Sequence, residues 1–274
     1  MEAMSVGNVL GTGFRVFFKN LPAFLLMTVL VYAPLIAWAA ITLGQSGDDP
    51  LETLERMQSF NTWGVVLLGV LEMPLAAMLT YGVVAELGGQ HASVGDCIAT
   101  GVKRFVPALL IMLLIGLVVV ATMIAMLAPA GASNSPAFVW IMIIGWIVLL
   151  VTLYARWFVI IPASVIERPG IFGAFDRSGT LTAARRLRCA ALVVLMWGVH
   201  FAVYIGSFAI LLPHFGDGDF ATESLDRLPV FVIVQFALWI VFAALRAVFA
   251  ATAYFYLRRD KEGTSAEELA SVFS

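Results

Sequence analysis

The sequence predicts an all-α membrane protein: six transmembrane helices in three repeated units of amphipathic interfacial helix plus helical pair, with N- and C-termini cytoplasmic. Three observations carry that prediction. Hydrophobic residues make up 61% of the chain and charged residues 12%, with a mean hydropathy of +0.97; an ordinary soluble domain is only roughly 45–50% apolar. Basic residues sit almost entirely on one side of six apolar runs. A thirteen-residue stretch, 5–17, recurs at 93–105, and each copy leads directly into an apolar run.

The six runs are 21–43, 63–87, 106–127, 138–161, 189–212 and 229–257. Each is long enough to cross about 30 Å of hydrocarbon at about 1.5 Å per residue. Ala37-Trp38-Ala39 resembles a signal-cleavage site. Amphipathic sequence precedes that run, however, and the run is too long for an h-region, so it is expected to remain a span.

Orientation follows from the cations. Arg15, Lys19, Lys103, Arg104, Arg168, Arg177, Arg185, Arg186, Arg188, Arg258, Arg259 and Lys261 lie on one side, and only Arg56 and Arg227 on the other. The positive-inside rule makes the first side cytoplasmic. The outer connections are acidic, with Asp48, Asp49, Glu52 and Glu55 in the first and Asp217, Asp219, Glu223 and Asp226 in the third; the middle one, 128–136, reads as a tight turn. After Asp49-Pro50, the residues Leu51, Leu54, Met57 and Phe60 recur every three positions, which predicts a short helix on the outer surface.

In the duplicated stretch six positions are identical, and Asn8/Asp96, Leu10/Ile98, Gly11/Ala99 and Arg15/Lys103 exchange like for like. The first copy places Val6, Val9, Leu10, Gly13, Phe14, Phe17 and Phe18 on one helical face, opposite Asn8, Thr12, Arg15 and Lys19. The second repeats the pattern with Val94, Cys97, Ile98, Gly101, Val102 and Phe105 against Asp96, Thr100 and Lys103. A degenerate third copy has Ile171, Phe172 and Phe175 against Asp176, Arg177 and Thr180. Residues 1–274 then form one membrane domain, with pseudo-repeats at 5–87, 93–161 and 170–257 and a short cytoplasmic tail, 258–274. Because two spans separate the copies, the repeats run parallel rather than inverted.

These elbows supply the candidate contacts to anionic inner-leaflet lipids: Arg15, Lys19, Lys103, Arg104, Arg177, Arg185, Arg186 and Arg188. Each cation near the headgroups is worth about 1 kcal/mol, and phenylalanines beside them sink into the acyl boundary. The plainer reading is that the elbows only anchor the chain.

A second candidate site lies at membrane depth. Glu72, His200 and Arg246 each fall about 14–16 Å inside the nearest span end, where a charge costs roughly 2.5–3.5 kcal/mol and finds an internal partner. Glu72 and Arg246 are expected to pair with His200 close by, either as a polar pathway or as a pair that fixes helix packing. Pro74 is positioned to kink the second span. Arg156, about 7–8 Å from its span end, can snorkel. Gly198, Ala202 and Gly206, and likewise Ala243, Ala247 and Ala251, form small-residue faces suited to close helix packing.

Neither Cys97 and Cys189 nor His91, His200 and His214 have metal-site spacing, and phosphate loops and nucleophile elbows are absent from the sequence. The expectation is no enzyme, no cofactor and no nucleic-acid partner.

Arg156-Trp157-Phe158-Val159-Ile160-Ile161-Pro162-Ala163-Ser164-Val165-Ile166-Glu167, then Arg177-Ser178 and Leu181-Thr182, and finally Tyr254-Phe255-Tyr256-Leu257-Arg258-Arg259-Asp260-Lys261-Glu262-Gly263, form a recognisable signature. It resembles the membrane domain found ahead of some glycerophosphoryl diester phosphodiesterases and in stand-alone bacterial proteins of the YciC type. The resemblance implies a multi-pass bacterial inner-membrane protein with no activity assigned to the membrane domain and no active-site residues to carry over. Eleven residues follow Gly263, so the catalytic barrel of the longer relatives is not expected. The function expected is a non-enzymatic module that associates with lipid or with a protein partner in the membrane. The alternative is a transporter or channel for an ion or small amphiphile, lined by Glu72, His200 and Arg246. The lack of broken spans at matching positions argues against that alternative.

Overall fold

A computed structural model describes residues 4–44, 50–131, 133, 135–211 and 223–263, and every regular element among them is helical. These are α1 (Val6–Lys19), α2 (Leu21–Gly44), α3 (Pro50–Leu87), α4 (Val94–Gly131), α5 (Pro136–Trp157), α6 (Ile160–Ile166), α7 (Ile171–Thr182), α8 (Arg186–Leu211) and α9 (Glu223–Glu262), with a 3₁₀ turn, Ala183–Arg185, before α8. Six segments are long and apolar enough to cross a membrane, and each overlaps one of the six predicted runs. Most of the third outer connection and the tail beyond Gly263 lie outside the described residues, as do Asp48 and Asp49.

The sequence elements differ from the structure in three places, each for a local reason. No separate helix follows Asp49-Pro50: those residues are the first turns of α3, which runs unbroken for 38 residues, about 57 Å at helical rise. Pro50 is tolerated at a helix start, and the Glu52–Arg56 pair at i,i+4 supports the turn after it.

The second elbow is likewise fused to its span as one helix, α4. In the first copy the Asn20 side-chain amide and backbone N–H both donate to the Val16 carbonyl, ending α1 before Leu21-Pro22. The second copy has no such residue. Its Thr-Gly and Pro-Ala pairs are also three residues closer together, Gly101 to Pro107 against Gly13 to Pro22.

The fourth run breaks at Phe158–Val159 into α5 and α6. Pro162 explains the position, because a helical proline loses its bond to the carbonyl four residues back, here Phe158, and clashes with it. In the first turn of α6 the same proline is harmless. This break lies near one end of the bundle, whereas the substrate sites of transporters sit at broken helices near the midplane.

Both copies of the duplicated stretch begin and pack alike. Ser5 Oγ accepts the Asn8 N–H at 3.1 Å and Ser93 Oγ accepts the Asp96 N–H at 3.1 Å, the same helix cap at equivalent positions. Gly13 and Gly101 are both close-approach sites. A Cβ on Gly13 would sit 2.6 Å from the Phe249 ring, and one on Gly101 would meet Met78 and, at 3.0 Å, the Pro74 carbonyl.

In the bundle, α3 is central and touches α2, α4, α6 and α9. Around one side of it the neighbours close a ring, α3–α4–α5–α8–α9, while α2 covers the α3–α9 seam and α1 lies against α9. Tyr32, Leu68, Leu75, Leu79, Val248 and Tyr254 form the dense part of the core. Ala243, Ala247 and Ala251 are buried in that seam as expected. The other small-residue face does not pack: no atom comes within 4 Å of a Cβ built on Gly198 or Gly206. The reason lies in α8, where residues 197–199 and 201–205 are all exposed.

Candidate functional site

The structure pairs two of the three residues expected at membrane depth. Arg246 donates to Glu72 Oε1 through Nη2 at 2.9 Å and Nε at 3.2 Å. The guanidinium also lies 5.8 Å from the Trp239 ring centre, a cation–π contact that favours keeping the charge there. His200 stands one ring further away. It packs edge-on against Trp239 at 5.5 Å and Phe242 at 4.8 Å, with no bond to the ion pair, and its Nδ1 is a buried atom without a partner among the described residues.

The eight cations of the elbows divide evenly. Lys19 pairs with Glu86, Arg177 with Glu167 and Glu262, and Arg185 with Asp260 at 3.7 Å, while Arg188 donates to the Met4 carbonyl. These four act largely within the protein. Arg15, Lys103, Arg104 and Arg186 have no carboxylate partner among the described residues. Beside them lie large apolar side chains turned outward: Phe14 and Phe18 on α1, Val102 on α4, Phe172 on α7 and Leu187 at the start of α8. The opposite ridge of α1, Val9, Gly13, Val16 and Phe17, is buried in the protein.

The signature residues, scattered over more than 100 positions, meet in one cluster. Glu167, at the end of α6, takes both Arg177 nitrogens and the Tyr254 hydroxyl. Arg258 reaches Tyr254 at 3.3 Å and Glu262 at 3.1 Å, and Glu262 also accepts from Arg177. The carbonyl of Arg156, orphaned at the end of α5, is satisfied by the hydroxyls of Ser178 at 2.9 Å and Thr182 at 3.2 Å. The Arg156 side chain crosses Gly179, where a Cβ would meet its Nε at 3.1 Å. Two carboxylates facing two guanidiniums leave the cluster neutral, and the bidentate geometry fixes α6, α7 and α9 at one end of the bundle.

Two residues escaped the sequence reading of the sites. Arg168 counted only toward orientation, yet it takes a left-handed φ of 57° in the Arg168-Pro169-Gly170 turn. The signal available was the Arg-Pro-Gly triplet, since an arginine before proline is pushed away from helical conformation. Tyr32 is fully buried in α2, and its hydroxyl has no hydrogen-bond partner among the described residues. In sequence it is one aromatic residue in an apolar run, and nothing marks it. Among the described residues no group of three or more His, Cys, Asp or Glu is placed to hold a metal ion.

The chain matches no family model, no curated protein and no solved structure.

Proposed function

We propose that this chain is a non-enzymatic, multi-pass module of the bacterial inner membrane whose cytoplasmic end holds anionic lipid. One observation carries the reading: four cations without carboxylate partners, Arg15, Lys103, Arg104 and Arg186, share an end of the bundle with outward-facing Phe14, Phe18, Phe172 and Leu187. Arg168, exposed just after the end of α6, adds a fifth. Unpaired cations at the headgroup level attract anionic lipid, and apolar side chains beside them enter the acyl boundary. The three-unit repeat and the cytoplasmic placement of both termini belong to the same reading. The shared serine cap and close-approach glycine of the two copies, and the twelve-to-two distribution of cations, support it. The resemblance to the phosphodiesterase membrane-domain and YciC-type proteins is part of the proposal too, supported by the convergence of its signature residues on Glu167.

Purification in native lipid nanodiscs, with mass spectrometry of the lipids retained, tests it. Enrichment of phosphatidylglycerol or cardiolipin over the surrounding membrane is the expected result. A retained population matching the bulk membrane removes the proposal.

A second reading, transport of a small amphiphile or ion, is favoured by one observation only: the Glu72–Arg246 pair at the centre of the spans. Flux across proteoliposomes that disappears in Glu72→Gln supports that reading, and flux equal to empty liposomes removes it.

A further inference from the structure

The Glu72–Arg246 pair is only partly covered by the protein. No residue from 67 to 88 in and just after α3, or from 242 to 259 in α9, is exposed. Yet the Glu72 and Arg246 side chains keep 20% and 26% of their surface accessible. That surface lies beside the Trp239 ring, which Arg246 overlies and which packs on His200.

Two polar atoms beside the pair lack partners: His200 Nδ1 on α8 and Trp239 Nε1 on α9 are buried without a hydrogen-bond partner among the described residues. Trp239 lies between Arg246 and His200. Each such orphan costs about 1–3 kcal/mol, so their grouping points to a partner from outside the chain.

The pair itself limits what that partner is. Both Arg246 bonds go to Glu72 Oε1, which leaves Oε2 as an acceptor and Nη1 as a donor. The site has no net charge, so an ion entering it would bring an unbalanced charge to membrane depth, at a cost of several kcal/mol. A hydroxyl both donates and accepts, and it brings no charge. Along α8, Trp197 lies 5.9 Å from Tyr154 and 6.0 Å from Phe201, and both α8 rings remain exposed, which provides an apolar wall beside the polar groups.

We propose that the region beside Glu72 and Arg246 binds the uncharged, hydroxyl-bearing head of an amphiphile, with its chain against Trp197 and Phe201. The inference rests on the second reading for the location of the site but does not require transport.

The test uses the full chain in nanodiscs and a monoacylglycerol carrying a photoactivatable diazirine in its acyl chain. Labelling of α8 around Trp197 and Phe201 is expected, competed by monooleoylglycerol and not by oleate at the same concentration. Glu72→Gln/Arg246→Gln, uncharged like the pair it replaces, should lose the competed labelling. Trp239→Phe, which keeps a ring but removes one donor, should weaken competition about fivefold, the equivalent of one hydrogen bond. Labelling spread over the outer faces of α4 and α5, equal competition by oleate, or undiminished competition in folded Trp239→Phe would overturn the inference. Monoacylglycerol flux, measured separately in proteoliposomes, distinguishes the two claims: site labelling without flux removes the transport reading alone, and flux without site labelling removes this inference alone.

Discussion

Glu167 accepts the Tyr254 hydroxyl at 2.7 Å, tying the end of α6 to the last turns of α9 across 87 positions of sequence. The same carboxylate holds Arg177 through two nitrogens, so one acidic side chain joins three helices. Tyr254→Phe removes a hydrogen bond to a charged group and should lower unfolding stability by about 1.5–3 kcal/mol. Arg177→Lys keeps the charge but loses the fork that meets Glu167 and Glu262 together, and it should destabilise nearly as much. Thermal unfolding in detergent reads both. An unchanged Tm in the two variants would mean that the cluster is decorative.

For Glu72 and Arg246 the informative experiment is a double-mutant cycle. Either glutamine substitution alone leaves one charge unpaired at membrane depth, whereas the double variant leaves none. A favourable coupling energy of about 2 kcal/mol is expected between them. Additive effects, with the double variant as unstable as the sum of the two singles, would show that the pair contributes no mutual stabilisation.

The duplicated glycines should behave unequally under alanine. Gly7 has no atom within 4 Å of its missing Cβ, so Gly7→Ala should stabilise α1 by roughly 0.5–1 kcal/mol through helix propensity. Gly13→Ala pushes a methyl into the buried Phe249 ring and should destabilise by about 1–3 kcal/mol. Equal effects at the two positions would argue against close packing of α1 on α9.

Much of this architecture was legible in the sequence, and the parts that were not share a cause. Apolar run length located all six helices long and apolar enough to cross a membrane, because the hydrocarbon thickness sets a minimum that few other segments meet. The depth of Glu72 and Arg246 suggested their pairing, because an unpaired charge there is costly. Amphipathic periodicity also marked the elbows, but it says nothing about where a helix stops. Asn20 ends α1 through two bonds to Val16, and the absence of a counterpart lets α4 run on. Pro162 breaks the fourth run four residues before itself. Composition does not reveal how a cation is used either: Lys19 and Arg15 look alike in sequence, yet Glu86 reaches only the former. The small residues of α8 matched a packing pattern that the bundle leaves unpartnered.

That division of cations gives the account its sharpest internal contrast. Arg15, Lys103, Arg104 and Arg186 are assigned to lipid, and Lys19 and Arg185 to carboxylates of the protein. Native mass spectrometry of protein released from nanodiscs, with phosphatidylglycerol titrated against phosphatidylcholine, measures the lipid affinity directly. Replacing the first four by glutamine should weaken phosphatidylglycerol binding by up to about 4 kcal/mol, at about 1 kcal/mol per cation, and flatten its dependence on salt. Lys19→Gln/Arg185→Gln should lower Tm while leaving lipid affinity near that of the parent. Undiminished phosphatidylglycerol affinity in the folded fourfold variant would show that these cations do not hold lipid.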